Sequence, residues 1–180
     1  MPKREIETES GDISSDSLCS PREIVEPVRE LFGGEIDCDP CSNEHSIVRA
    51  LTTYTWGGLA RPWGGPTVGR GKRTAYENHP YSTNEPWAAK AIYELRIRNV
   101  RELVILCMCV PSTAWWKSLM VKPAKNPRVL VTKRLKFLGP GGKPMKHTAR
   151  FETALIYYGR RERVFDKLFR HVENWSTRGR

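Results

Sequence analysis

One run of nine residues, ELVILCMCV (102–110), limits the fold more than any other stretch. After Glu102 it holds no charged or hydroxyl side chain, so it has no polar face to turn to water. It is also far shorter than the roughly 18 apolar residues that cross a bilayer. A strand of this kind is buried on both sides, as an inner strand is when helices cover both faces of a sheet. The flanking segments agree. RTAYE (73–77) reads as a second strand, and Pro86 opens a helix with Ala88, Ala91, Ile92 and Leu95 on one face. Ser112 or Thr113 caps a helix carrying Trp115, Trp116, Leu119 and Met120. RVLV (128–131) is a further strand. KRLKFLG (133–139) and FETALIYYG (151–159) predict a terminal β-hairpin, and Val164, Phe165, Leu168, Phe169 and Val172 form the stripe of a last helix.

Upstream, Ser20 and Pro21 predict the start of a helix with Ile24, Val28 and Leu31 inward, stopped by Gly33 and Gly34 and kinked or shortened by Pro27. EIDCDPC (35–41) predicts a short strand ending at Asp39 and Pro40, followed by a helical segment over residues 43–51. Residues 52–72, rich in glycine and holding Trp56 and Trp63, read as a long loop of the kind that carries function. The expected fold class is α/β, with helices on both faces and a closing hairpin. Residues 1–17 are expected to be a disordered acidic head, and residues 18–180 a single domain.

Charge narrows the partner. The 180-residue chain has a formal net charge of +10, yet residues 1–17 hold two basic against five acidic side chains. From Lys117 to Arg150 there are ten basic residues and no acidic one. Such a stretch suits a polyphosphate, and Lys117, Lys122, Lys133, Arg134, Lys136, Lys143 and Lys146 are the candidate phosphate contacts. No segment has signal-peptide or membrane-spanning character, so the cytoplasm is the expected compartment. The five cysteines, CDPC (38–41) included, read as buried reduced thiols, and no metal is expected. The sequence carries no signal for oligomeric state.

In a sheet of this type ligands bind beyond the carboxyl ends of the strands, here residues 37–41 and 78–81. The run Asn78-His79-Pro80-Tyr81 has a specific chemical use. An exocyclic amine on a nucleobase is a poor nucleophile because its lone pair is delocalised into the ring. Two acceptors that hold its two protons concentrate that pair. The side-chain carbonyl of Asn78 and the backbone carbonyl of His79 are two such acceptors, and Tyr81 offers a ring to stack on the base. Pro80 bars His79 from the helical region and so aims that carbonyl.

This run, together with SPREI (20–24), IDCDPCSN (36–43), GGLARPWGG (57–65), EPWAAKAI (85–92), RLKF (134–137) and ALIYYG (154–159), resembles the small phage-type DNA adenine N6-methyltransferases over residues 19–159. The resemblance implies a Rossmann-like methyltransferase sheet, S-adenosylmethionine as methyl donor, adenine in DNA as acceptor, low sequence specificity and a phage or prophage origin in a bacterial host, with restriction protection as one use. It places Asn78, His79, Pro80 and Tyr81 on the family's Asn-Pro-Pro-Tyr motif. Ser20 with Pro21, and Asp39 with Pro40, fall on its cofactor-side elements, with Asp37 beside them. Asp39 is expected to hold the ammonium of the methionine part. Two positions depart from the family pattern. His79 replaces the motif's first proline, and Gly57 stands where an acidic residue is usual. Both make a catalytically impaired DNA-binding relative the alternative reading, with cytosine N4 as a second acceptor that meets the same chemistry.

Overall fold

The computed structural model describes residues 14–64, 73–123 and 126–174. In chain order it runs α1 (Arg22–Leu31), β1 (Cys38–Asp39), β2 (Thr52–Thr53), β3 (Thr74–Glu77), α2 (Asn84–Arg96), β4 (Glu102–Met108), α3 (Ala114–Val121), β5 (Arg128–Val131), β6 (Thr153–Tyr158) and α4 (Glu162–Phe169). The strands form one sheet in the order β2-β1-β3-β4-β6-β5. β2, β1, β3 and β4 are mutually parallel, while β6 is antiparallel to both of its neighbours. The α/β architecture with helices on both faces is therefore present.

The period of two along the inner strands divides the core. Val104, Leu106, Leu155 and Tyr157 join α1 and α4 on one face through Ile24, Val28, Leu31, Phe165 and Phe169. Leu103, Ile105, Cys107, Ala154, Ile156 and Tyr158 join α2 and α3 on the other through Ala88, Ala91, Ile92, Trp116 and Leu119. β4 thus supplies side chains to both layers, as its unbroken apolar sequence requires.

Three local expectations are corrected, and Pro27 leaves the expected first helix unshortened. Ser20 does not cap α1; its hydroxyl lies 2.6 Å from the Tyr76 hydroxyl, and Pro21 occupies the cap position. Pro27 stays within α1. The Glu23 carbonyl, which its missing amide leaves unserved, takes a hydrogen bond from His171 Nε2 at 3.1 Å. No helix forms over residues 43–51, because short polar side chains capture the backbone. Asn43 Oδ1 accepts from the His45 amide and Ser46 Oγ from the Val48 amide, and Arg49 takes a positive φ of 50°. The closing hairpin exists, but its first arm is β5, with residues 132–152 as the connection. Residues 134–138 keep strand-like alternation, with Leu135 and Phe137 buried and Arg134 and Lys136 exposed. A bridge from Leu138 to Cys19 takes the place of a ladder.

Candidate active site

β1 and β3 are parallel neighbours, so Asp39 and Asn78 emerge side by side at the carboxyl end of the sheet. Both line one cleft with Asp16, Leu18, Ser20, Cys41, Asn43, Ser46 and Tyr76. Asn78 is oriented from two sides. Its Nδ2 donates to the Leu18 carbonyl at 3.2 Å, and its Oδ1 accepts from the Tyr81 hydroxyl at 3.0 Å. Since the Leu18 carbonyl can only accept, the amide has one allowed orientation, and a second lone pair remains on Oδ1. Tyr81 opens the 3-10 turn Tyr81–Thr83 ahead of α2. Its ring is buried and meets Phe137 and Phe151 edge-on, with centroids 6.2 and 5.2 Å away.

Asp39 is 4% exposed. It accepts from the Cys41 amide at 3.3 Å and from Ser46 Oγ at 3.4 Å. Burial pushes its carboxyl up to about 6, against hydrogen bonds from Ser42, Cys41 and Ser46 that pull it down. Among the described residues no basic side chain pairs with it. A buried carboxylate without a cation is suited to a cationic ligand group.

The other expected residues are distributed as follows. Pro40 is buried beneath the loop that follows β2. A Cβ placed on Gly58 would lie 1.8 Å from the Pro40 carbonyl, so only glycine lets the two backbones meet. The neighbouring Gly57 has φ of 70°, a turn conformation that strains most side chains. Trp63 is packed rather than offered to a ligand: its Nε1 donates to the Gly58 carbonyl, and it stacks on Trp87 at 6.2 Å. Trp56 is exposed, with the Arg61 guanidinium 4.8 Å from its ring. Asp37 belongs to the far end of the strands and does not line the cleft. Its Oδ2 accepts from the Thr74 amide at 2.8 Å and from Thr74 Oγ1 at 3.1 Å, a latch between β1 and β3.

The head is ordered where it meets the site. Residues 1–13, the larger part of the segment expected to be disordered, lie outside the described residues. Ser15–Ser17 forms a 3-10 turn, and the Asp16 carboxylate accepts from the Ser82 amide at 3.0 Å and from the Ser82 hydroxyl. With Asp16 and Leu18 in place the cleft measures about 20 Å³, room for about one water molecule.

The seven candidate phosphate contacts are all exposed but fall in two places. Lys117 is on α3 and Lys122 follows it. Lys133, Arg134, Lys136, Lys143 and Lys146 lie on the 132–152 connection, whose Phe137 and Phe151 touch Tyr81. Lys133 Nζ is 3.4 Å from Glu23 Oε2, so it serves a surface ion pair.

A further pair was not foreseen. Glu77, the last residue of β3, and His79 lie with both side chains fully enclosed, and Glu77 Oε1 is 2.6 Å from His79 Nδ1. Burial raises the Glu77 carboxyl above its ordinary value, while the hydrogen bond and charge of His79 oppose that shift. The signal was in the sequence: residues two apart along an extended chain face the same side.

The sequence model of the family described as DNA N-6-adenine-methyltransferase (Dam) matches residues 7–170. The chain belongs to that family. No curated protein matches it. Among the described residues, no group of three or more His, Cys, Asp or Glu side chains gathers to hold a metal ion. Burial raises the thiols of Cys38 and Cys41 above their ordinary value, as packed thiols are raised. No helix among the described residues is long and apolar enough to span a membrane.

Proposed function

We propose that the protein transfers the methyl group of S-adenosylmethionine to the N6 amine of adenine in DNA, with low sequence specificity, in the cytoplasm of a bacterial host. The observation that carries this reading is the shared cleft. Asp39, a buried carboxylate without a cation, and Asn78, an oriented amide oxygen, line the same depression at the ends of adjacent strands.

The donor set fits the cofactor. Asp39 would hold the methionine ammonium, with Ser20 and Ser46 as neighbouring hydroxyls. Asp16 and Leu18 line the same cleft, so the segment 16–18 would border the bound cofactor. When bound, S-adenosylmethionine supplies a methyl group made electrophilic by its sulfonium. The chain's own residues act on the adenine. Asn78 Oδ1 accepts a hydrogen bond from one N6–H on its free lone pair, and the His79 carbonyl accepts one from the other. Pro80 keeps that carbonyl extended, and after transfer the surplus proton passes to water. Exposed lysines and arginines on α3 and the 132–152 connection fit the DNA backbone. Such contacts carry no base information, which supports low specificity.

The test is incubation with labelled S-adenosylmethionine and unmethylated DNA, followed by a nucleoside digest. N6-methyladenine in many sequence contexts is the expected product. N4-methylcytosine would move the acceptor to cytosine. Tight DNA binding with no labelled base would make the chain a non-catalytic relative.

A further inference from the structure

We propose that Glu77 is a positioning residue, replacing with a side-chain clamp the backbone restraint that a proline at position 79 would supply. This rests on the reading of Asn78 and the His79 carbonyl as the two acceptors.

The proton placement follows from the acceptors around the ring. Asn84 Nδ2 donates to the Tyr81 carbonyl, which can only accept, so Asn84 Oδ1 must face the histidine. It lies 3.0 Å from His79 Nε2, and that nitrogen therefore carries a hydrogen. His79 Nδ1 and Glu77 Oε1, 2.6 Å apart, share one further proton. The imidazole is thus tied at both ends, to the last residue of β3 and to the first turn of α2. Three aromatic rings close round it. Trp87 is stacked at 6.3 Å and 7°, and Tyr81 and Trp115 approach edge-on, each at 6.3 Å.

A histidine fixed in this way cannot swing, and its carbonyl is held with it. Glu77 Oε2 has no hydrogen-bond partner among the described residues. Buried carboxyl oxygens are rarely left so, and a packing role alone would be better met by an apolar side chain. The carboxyl stays because the ring needs a partner at Nδ1 that a hydrocarbon cannot give.

The experiment compares steady-state and single-turnover methylation by Glu77→Ala, Glu77→Gln and Glu77→Ala/His79→Pro. Glu77→Ala is expected to lower kcat about 10- to 100-fold, the scale of a misplaced reacting group, with KM for DNA and cofactor within about threefold. Glutamine can donate to Nδ1, so Glu77→Gln retains most of the turnover. His79→Pro restores turnover to the alanine variant, because the proline needs no clamp. A Glu77→Ala loss that proline does not restore, or one confined to KM, overturns the proposal. If Glu77→Ala does not fold, Asn84→Ala takes its place, with a smaller loss and the same rescue expected. A readout independent of activity separates failure here from failure of the acceptor reading. In the ¹⁵N spectrum of the wild-type protein, His79 should show hydrogen on Nε2 and a strongly deshielded shared proton at Nδ1 that vanishes in Glu77→Ala. Its absence in the wild type removes the clamp even if the enzyme is active.

Discussion

The two halves of the sheet are built differently. From β4 outward, six residues of β4 pair with six of β6, four of β5 pair with β6, and aromatic rings fill the layer beneath. On the other side, β1 and β2 pair over two residues each, and β1 meets β3 through one pair. What the short strands lack in ladder bonds is supplied by side chains: Asp37 to Thr74, Asn43 and Ser46 to the following turns, and Arg29 Nη2 to the Val48 carbonyl at 2.9 Å. Every candidate catalytic or cofactor residue retained above lies in or beside this second half. Ladder and packing hold the scaffold half together, while individual side-chain bonds hold the half that carries the site.

The difference is measurable. In the laddered half, Phe165 is fully buried and stacks on Tyr157 at 5.1 Å and against Phe169 at 4.8 Å. Phe165→Ala is expected to cost about 3–5 kcal/mol in denaturant unfolding while leaving turnover per folded molecule unchanged. Loss of turnover without loss of stability would erase the distinction. Asp37→Ala removes the latch between β1 and β3 and should cost about 1.5–3 kcal/mol, the range for hydrogen bonds to a charged group. Cofactor affinity measured by calorimetry on the folded fraction should change little, since Asp37 does not line the cleft.

Asp39 divides the halves by pH. Its carboxyl titrates at about 6 in the fold against 3.8 ordinarily, so the folded state binds the extra proton between those values. Wild-type stability therefore rises as pH falls from 6 to 4, and Asp39→Asn is the more stable protein only above that window. Affinity for S-adenosylmethionine runs the other way: it should fall by up to about tenfold per pH unit below 6 in the wild type and be weak and flat in Asp39→Asn. A wild-type affinity independent of pH would detach Asp39 from the ammonium. The smallest expected effect is that of Asp16→Ala. Freeing residues 16–18 from the two exposed hydrogen bonds to Ser82 should raise cofactor affinity about two- to tenfold if the segment hinders entry, and weaker binding would show that Asp16 contributes to the site.

The laddered half was largely legible in the sequence. β4 announced itself by its unbroken apolar run, and α4 by its stripe of Phe165, Leu168 and Phe169. There packing is set by side-chain type, which periodicity reports. The site-bearing half was legible as a motif and poorly legible as structure. Asn43 and Ser46 look tolerable in a helix until their oxygens are seen to hold nearby amides. Ser20 looks like a cap until its hydroxyl meets Tyr76, 56 residues away. Asp37 and Asp39 differ by two positions, yet one latches strands while the other faces the cleft. Long-range hydrogen bonds leave no local pattern, and RLKF keeps its alternation without joining the ladder of the sheet.

The account stands on the Asn78 amide as an acceptor for the adenine amine. Single-turnover methyl transfer by Asn78→Ala, under saturating DNA and cofactor, measures this most directly. A fall of about 10²- to 10³-fold with both affinities retained is the predicted result, and transfer at the wild-type rate would contradict it.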